Sequence, residues 1–236
     1  EVSMAVAKAA MDSGVARRPI ADWKAYRIRL KELMGQESKF TRSLYETASR
    51  DPQRVVFTDG TNPTIMNAAV QAKKEGICHP ILLGNDKKIY EIAKEMELDL
   101  DGIEVLNLRN DDQVERRERY AAIFAAKKQR EGCTLQEAND KMYERNYFGM
   151  MMVETGDALI TSLSRKHWNA TDVAKEVIGI NPKFNHFGTM HLINTKQGTL
   201  FLADTLINRH PSAETMVDLA LLSAHTVRFF NRTPVI

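Results

Sequence analysis

Cysteine is scarce in this chain of 236 residues: Cys78 and Cys133 stand far apart, outside any CxxC or Cys/His spacing. Neither a disulfide framework nor a structural zinc site is indicated, and a reducing cytoplasm is the expected setting. Long apolar runs are missing as well. Thr199 to Ala203 and Leu219 to Leu222 are typical of what there is, against the roughly 18 apolar residues of a membrane-crossing helix. Charge of one sign is also lacking. With 33 basic residues, 31 acidic ones and a formal charge of +2, neither a nucleic-acid face nor a polybasic membrane anchor is predicted. There is no GxGxxG fingerprint, Walker loop or HExxH pattern. His79, His167, His186, His191, His210 and His225 form no Ser/His/Asp or Cys/His grouping that spacing reveals, so no metal site is predicted. The chain opens at Glu1 without a Met and without signal-peptide order, and we read it as a piece of a longer polypeptide.

What is present is ordinary globular composition, 43% hydrophobic and 27% charged, enough for a sizeable core and one to two domains. Residues 1–50 read as a helical tail and linker. An Ala-rich helix runs over Val2 to Ala10, Gly14 and Arg17-Arg18-Pro19 follow, and Asp22 caps a second helix that ends near Gly35. From Arg54 a strand and helix grammar begins. Arg54 to Thr58 is a β-branched run, Asp59 to Pro63 turns it, and Asn62 caps a helix with Pro63 at its first position. Gly76 ends that helix. Pro80 to Leu83 predicts a strand, Asp86 to Met96 a helix, and Ile103 to Leu106 a third strand. Strands separated by helices of this length imply right-handed crossovers and a doubly wound, mostly parallel α/β sheet.

Gln113 to Arg130 reads as a long helix stopped by Gly132, and Thr134 with Glu137 is a capping box opening another. Met150, Met151 and Met152 read as adaptable core filling. Phe187 to Ile193 and Thr199 to Ala203 predict an antiparallel hairpin with Gly198 near its tip, and a helix follows through Val217, Ala220, Leu221, Ala224 and Val227. The expected division is therefore a first lobe over 51–142 and a second α/β lobe over 143–236, both incomplete at the C-terminal end.

Three places draw attention as candidate ligand sites. Asp59, Gly60 and Thr61 lie where doubly wound sheets place ligands and where helix N-H groups attract anions, although without a fingerprint motif the turn reads first as a plain strand-to-helix connection. Arg145 and Arg165 flank the Met-rich helix as phosphate clamps for a charged cofactor. Asp204 and Asn208, at the exit of a strand, either face a cleft or bond their own backbone. The Glu115 to Arg119 charge run reads as a solvated helix face with i,i+4 pairing.

Arg54-Val55-Val56-Phe57 with Asp59-Gly60, Glu75-Gly76-Ile77 leading to Pro80 to Gly84, Tyr147-Phe148-Gly149 with Met151-Met152-Val153 and Gly156-Asp157-Ala158, and Gly198 to Phe201 with Ala203-Asp204, Asn208 and Pro211 to Glu214 together resemble the phosphotransacetylase family, the phosphate acetyl- and butyryltransferases. Ala5 to Ala16, followed by Arg18-Pro19-Ile20 and Asp22, is similar to the junction of the large bacterial NADP-dependent malic enzymes, which fuse a catalytic region to a phosphotransacetylase-like domain. The resemblance implies a parent that oxidatively decarboxylates malate to pyruvate with NADP and a divalent metal, Mg or Mn. Its catalytic residues would lie upstream of Glu1, leaving none in this fragment.

It further implies that this fragment regulates and oligomerises, self-associating as a dimer or higher, contacting the catalytic region of the same chain and sensing acetyl-CoA. An active phosphate acetyltransferase and an oligomerisation module with a vestigial pocket are the alternatives. Departures from the family pattern argue against the former. Active members usually carry an acidic and arginine-bearing stretch where this chain has Asn62-Pro63-Thr64. They usually continue Gly-Asp-Ala with Asp and a Ser-Gly pair, where this chain has Leu159 to Leu163. Before the Tyr-Phe-Gly motif, Tyr143 stands where they often have arginine, with Arg145 nearby. The family's serine, arginine and aspartate of the transferase site fall beyond Ile236.

Overall fold

The computed structural model describes residues 2–33, 39–161, 170–195 and 198–235. The chain divides into two compact units, one of residues 46–185 and one that joins residues 1–45 to residues 186–236. Helices α1 (Val2–Asp12), α2 (Trp23–Leu33) and α3 (Lys39–Arg50) come first. No residue of α1 is buried. Asp22 Oδ1 accepts the N-H of Ala25 at 2.9 Å, which is the cap expected for α2. Gly35 lies outside the described residues.

In the unit of residues 46–185, strand β1 (Gln53–Phe57) leads through α4 (Pro63–Lys74) to β2 (Cys78–Leu83), then through α5 (Asp86–Glu95) to β3 (Glu104–Leu106). The chain continues through α6 (Val114–Lys128), α7 (Leu135–Lys141) and α8 (Arg145–Glu154) into β4 (Leu159–Thr161) and α9 (Ala170–Val177). Among the described residues the sheet order is β3-β2-β1-β4, every pair parallel. The first crossovers thus run one way from β1, and the last strand returns to its other side. Side chains alternate across the sheet as the two-residue strand period requires. Phe57 and Leu82 face the core under α4 and α5 with Met66, Val70 and Ile89. Val56, Ile81, Leu83 and Leu106 face the second core with Tyr120, Phe124, Phe148, Met151 and Met152. Each such fully buried side chain contributes about 1.5–3 kcal/mol relative to exposure, and α8, buried from Asn146 to Met152, carries an unusual share of it.

Two features of this unit go beyond the sequence reading. Leu159–Thr161 forms a strand, pairing Val56 with Ile160 in register. At three residues it is too short to show a period. Because α8 is the connection into β4, the unit extends to Asn185, past the division at residue 142 read from the sequence.

In the other unit, β5 (Met190–Thr195) and β6 (Gly198–Ala203) pair antiparallel, with Leu192 opposite Phe201. Helix α10 (Ala213–Phe229) is capped by Ser212, whose Oγ accepts the N-H of Thr215 at 3.2 Å. Phe40 packs edge to face on both Phe201 and Phe230. The first strand starts at Met190 and not at Phe187, because side chains replace ladder partners there. Asn208 Nδ2 donates to Phe187 O at 2.9 Å, and Asp204 Oδ1 accepts Thr189 N-H at 2.8 Å. Among the described residues no helix is long and apolar enough to cross a membrane.

Candidate functional site

Three loops leave the carboxyl ends of β1, β2 and β3 side by side, and local chemistry fixes each. After β1, Asn62 Oδ1 accepts the N-H of Thr64 at 3.0 Å and Pro63 starts α4. Gly60 N-H donates to Leu83 O at 3.1 Å. A Cβ on Gly60 would lie 2.8 Å from that oxygen, so only glycine lets the two backbones approach this closely. After β2, Gly84 N-H donates to Leu106 O at 2.9 Å, and Asn85 Oδ1 caps α5 by accepting Lys88 N-H at 3.0 Å. After β3, Asn107 and Asn110 donate through their amides to Asp86 at 2.9 and 3.1 Å. Those two side-chain bonds, with the Lys87 N-H, hold the Asp86 carboxyl below its ordinary value.

The loops enclose a cavity of about 360 Å³, lined among others by Thr61, Asn85, Lys88, Asn107, Arg109, Tyr143 and Arg145. Its lining contains three cations and no carboxylate. Arg145 Nη1 donates to Asp59 Oδ1 at 3.1 Å. Arg109 lies over the Tyr143 ring, 5.7 Å from its centroid. Arg117, buried, sits 4.8 Å from the same centroid and donates to the carbonyls of Leu108 and Asn110. The charge run of α6 is thus not wholly a solvated face. Arg117 turns inward because two loop carbonyls and a ring receive it, and Arg119 pairs with Asp157 at 3.1 Å across 38 positions.

Of the residues singled out in sequence, Asp59, Gly60, Thr61 and Arg145 come together here. Arg165 lies outside the described residues. Asp204 and Asn208 belong to the other unit and bond each other, Asn208 Nδ2 donating to Asp204 Oδ2 at 2.7 Å. Burial alone would raise the Asp204 carboxyl, but hydrogen bonds from Thr189, Asn208 and Leu206 outweigh it and hold the group far below the carboxylate range. With donors from Thr189, Leu206 and Asn208 on its two oxygens, the carboxylate organises the hairpin exit. Lys88, Arg109 and Tyr143 were not anticipated as a group. For Lys88 and Arg109 the available signal is their place just after the second and third strands, since ligands of open α/β sheets sit outside the carboxyl edge as a whole; Tyr143, between α7 and α8, carries no such signal.

A larger groove of about 550 Å³ lies in the other unit, lined by Phe40, Phe201, Val227 and Arg232 among others. It is mainly apolar with a single cation, whereas the smaller cavity has the charge and the position to hold a ligand. Among the described residues no three His, Cys, Asp or Glu side chains are grouped to hold a metal ion.

The structure is similar to the EutD phosphotransacetylase from Staphylococcus aureus, with a TM-score of 0.72 at 21% identity over 83% of this chain and 58% of that one. It is also similar to a phosphotransacetylase from Streptococcus pyogenes, with a TM-score of 0.69 at 23% identity over 84% and 61%. In sequence the chain is 31% identical to an NADP-dependent malic enzyme of Salmonella typhimurium and 30% identical to that of Escherichia coli, in each case over 99% of this chain and 31% of the relative. A phosphate acetyltransferase of Nitratidesulfovibrio vulgaris is 26% identical over 83% of this chain and 28% of that protein. The chain therefore spans about a third of the length of these curated relatives. Residues 39–236 match the family described as phosphate acetyl/butaryl transferase, and the chain belongs to that family.

Proposed function

We propose that this chain is the phosphotransacetylase-like domain of an NADP-dependent malic enzyme, a regulatory and oligomerising unit that senses acetyl-CoA and does not itself transfer acetyl groups. One observation carries the reading. Similarity to malic enzymes of Salmonella typhimurium and Escherichia coli covers 99% of the chain, whereas the match to phosphate acetyltransferases covers 83%. The added part contains residues before Lys39, which the family match leaves out. In this reading malate is decarboxylated oxidatively in the cytoplasm by a catalytic region outside residues 1–236, where NADP and a divalent metal belong.

The site chemistry agrees with sensing. Acetyl transfer from acetyl phosphate to CoA needs a base for the thiol proton and donors for the developing oxyanion. The cavity lining offers cations and amides, but no carboxylate or imidazole to take a proton. The nearby carboxylates are engaged, Asp59 by Arg145 and Asp86 by the amides of Asn107 and Asn110. Asn62, where active relatives are expected to be acidic, is used as a helix cap. Sensing requires that acetyl-CoA bind two states of the enzyme unequally, since equal affinity shifts nothing. For self-association, α10 exposes Met216, Val217 and Leu221, and β6 exposes Leu200 and Leu202.

The test is a paired assay on the full-length protein: calorimetry with acetyl-CoA, and acetyl phosphate formation from acetyl-CoA and inorganic phosphate. Saturable heat without acetyl phosphate is expected. Acetyl phosphate formation at rates of an active control would replace the reading with the transferase one, which the 26–28% identity to phosphate acetyltransferases favours. Light scattering separates a bare assembly module, which would self-associate without any ligand heat.

A further inference from the structure

Helix α1 is apolar on two opposite sides. At about 100° per residue, Val2, Ala5, Val6 and Ala9 share one side and Met4, Ala7 and Met11 the other. The Met4 side is half-buried, and Met11 Sδ accepts the N-H of Ile20 at 3.4 Å. The Val2 side is bare: Val2 is 78% exposed and Val6 63%, and no residue of the helix is buried. Gly14, with a φ of 73°, ends α1 cleanly, the N-H of Val15 reaching Ala10 O and its own N-H reaching Met11 O, both at 3.1 Å. A helix that is apolar all round belongs inside a larger body. Its 11 residues fall short of the roughly 12–15 at which even an Ala-rich helix is marginal alone in water. Nor does α1 have an acid in its first turn or a base in its last to complement its dipole. Its stability has to come from covering the bare side.

Which relatives share the helix indicates what covers it. Residues 2–12 precede the family match at residues 39–236. Similarity to the malic enzymes covers 99% of the chain and so takes in α1, whereas the phosphate acetyltransferases match over 83%. A surface needed by the family fold itself would be shared by both groups. This chain spans 31% of those malic enzymes, so in them a further region exists to receive the helix. We propose that the Val2, Ala5, Val6 and Ala9 side of α1 docks in an apolar groove of the malic enzyme catalytic region of the same polypeptide, tying that region to this domain. The proposal rests on the malic enzyme reading and names the surface through which the two parts are joined.

The experiment is hydrogen exchange by mass spectrometry on the full-length protein, reading the amides of residues 6–12 in the wild type and in Val6→Ala. Alanine is the better helix former, so in a helix that stands alone the variant exchanges no faster than the wild type. In a docked helix it loses buried surface and exchanges faster, by about 10-fold. That acceleration is expected, together with a wild-type protection that a free helix of this length lacks. A benzophenone cross-linker in place of Val2 then identifies the occupant. Products with residues that precede Glu1 in the polypeptide support the proposal, whereas products with α1 of a second copy, or with residues 39–236, overturn it. Residues 6–12 exchanging as an unstructured peptide, or Val6→Ala exchanging no faster than the wild type, would overturn it equally. Malate-dependent NADP reduction by the wild type keeps the two claims apart. With that activity present and α1 unprotected, the docking alone fails; with no activity, the malic enzyme reading fails and the docking falls with it.

Discussion

Replacing Gly60 by alanine tests whether the floor of the candidate site depends on backbone-to-backbone contact. The added Cβ would lie 2.8 Å from Leu83 O and 2.9 Å from Leu83 N, where ordinary contact begins at 3.4 Å. Both atoms are backbone at the end of β2, so no side chain can rotate away. The strands must separate by several tenths of an ångström, and the 3.1 Å bond from Gly60 N-H to Leu83 O is stretched or lost. Overpacking of this kind costs about 1–3 kcal/mol, and the hydrogen bond adds about 0.5–1.5 kcal/mol. A total near 3 kcal/mol corresponds to a fall in melting temperature of about 6–12 °C for a chain of this size. The assay is urea unfolding followed by circular dichroism, with Gly84→Ala as the internal comparison. At Gly84 the Cβ would meet Thr61 Cγ2 at 3.0 Å and Ile89 Cδ1 at 3.3 Å, side-chain ends that can turn. Less than half the cost is expected there. A Gly60→Ala protein within about 0.5 kcal/mol of wild type, the level of a neutral surface substitution, would refute the reasoning.

Arg117→Met leaves the carbonyls of Leu108 and Asn110 without their donor and should cost about 2–4 kcal/mol in urea unfolding. Asp204→Asn should flatten the acid limb of stability. The folded Asp204 carboxyl titrates below its ordinary value of 3.8, so its contribution is present above that pH and is lost as the pH falls through the folded value. Tyr147→Phe should act at the opposite end of the scale. Burial, and then its bond to Glu176, push the Tyr147 phenol up to about 12, so its contribution holds below pH 10 and is lost as the pH rises towards 12. The variant should lack that part of the alkaline decline, and absorbance at the tyrosinate band should lose its latest-titrating component.

Much of the sheet unit is readable because its signals are local. Asn62 with Pro63 and Thr134 with Glu137 each mark a helix start within four residues, and each forms the cap its side chain allows. The runs at β1 and β2 are long enough to show a buried strand. β4 is not, and what makes it a strand is an edge of β1 that sequence places about a hundred positions earlier. The same distinction governs the site. Gly60 and Thr61 announce themselves as a strand-to-helix turn, but the contact of Asp59 with Arg145 spans 86 positions. Arg117 is masked by its neighbours, since a run of charges looks solvated until two loop carbonyls and Tyr143 are brought over one member of it. Asp204 and Asn208 were equally a cleft pair or a turn, and their mutual bond and the donors from Thr189 supply what spacing alone lacked.

Malate-dependent NADP reduction by the full-length protein, followed while acetyl-CoA is titrated and with CoA lacking the acetyl group as the control, asks directly whether this domain informs the enzyme of its surroundings. A saturable change in rate with acetyl-CoA, at the concentration where calorimetry shows binding and without acetyl phosphate appearing, is the expected result. An unchanged rate across saturating acetyl-CoA, or no malate-dependent NADP reduction at all, would contradict the assignment of this chain to a malic enzyme's regulatory domain.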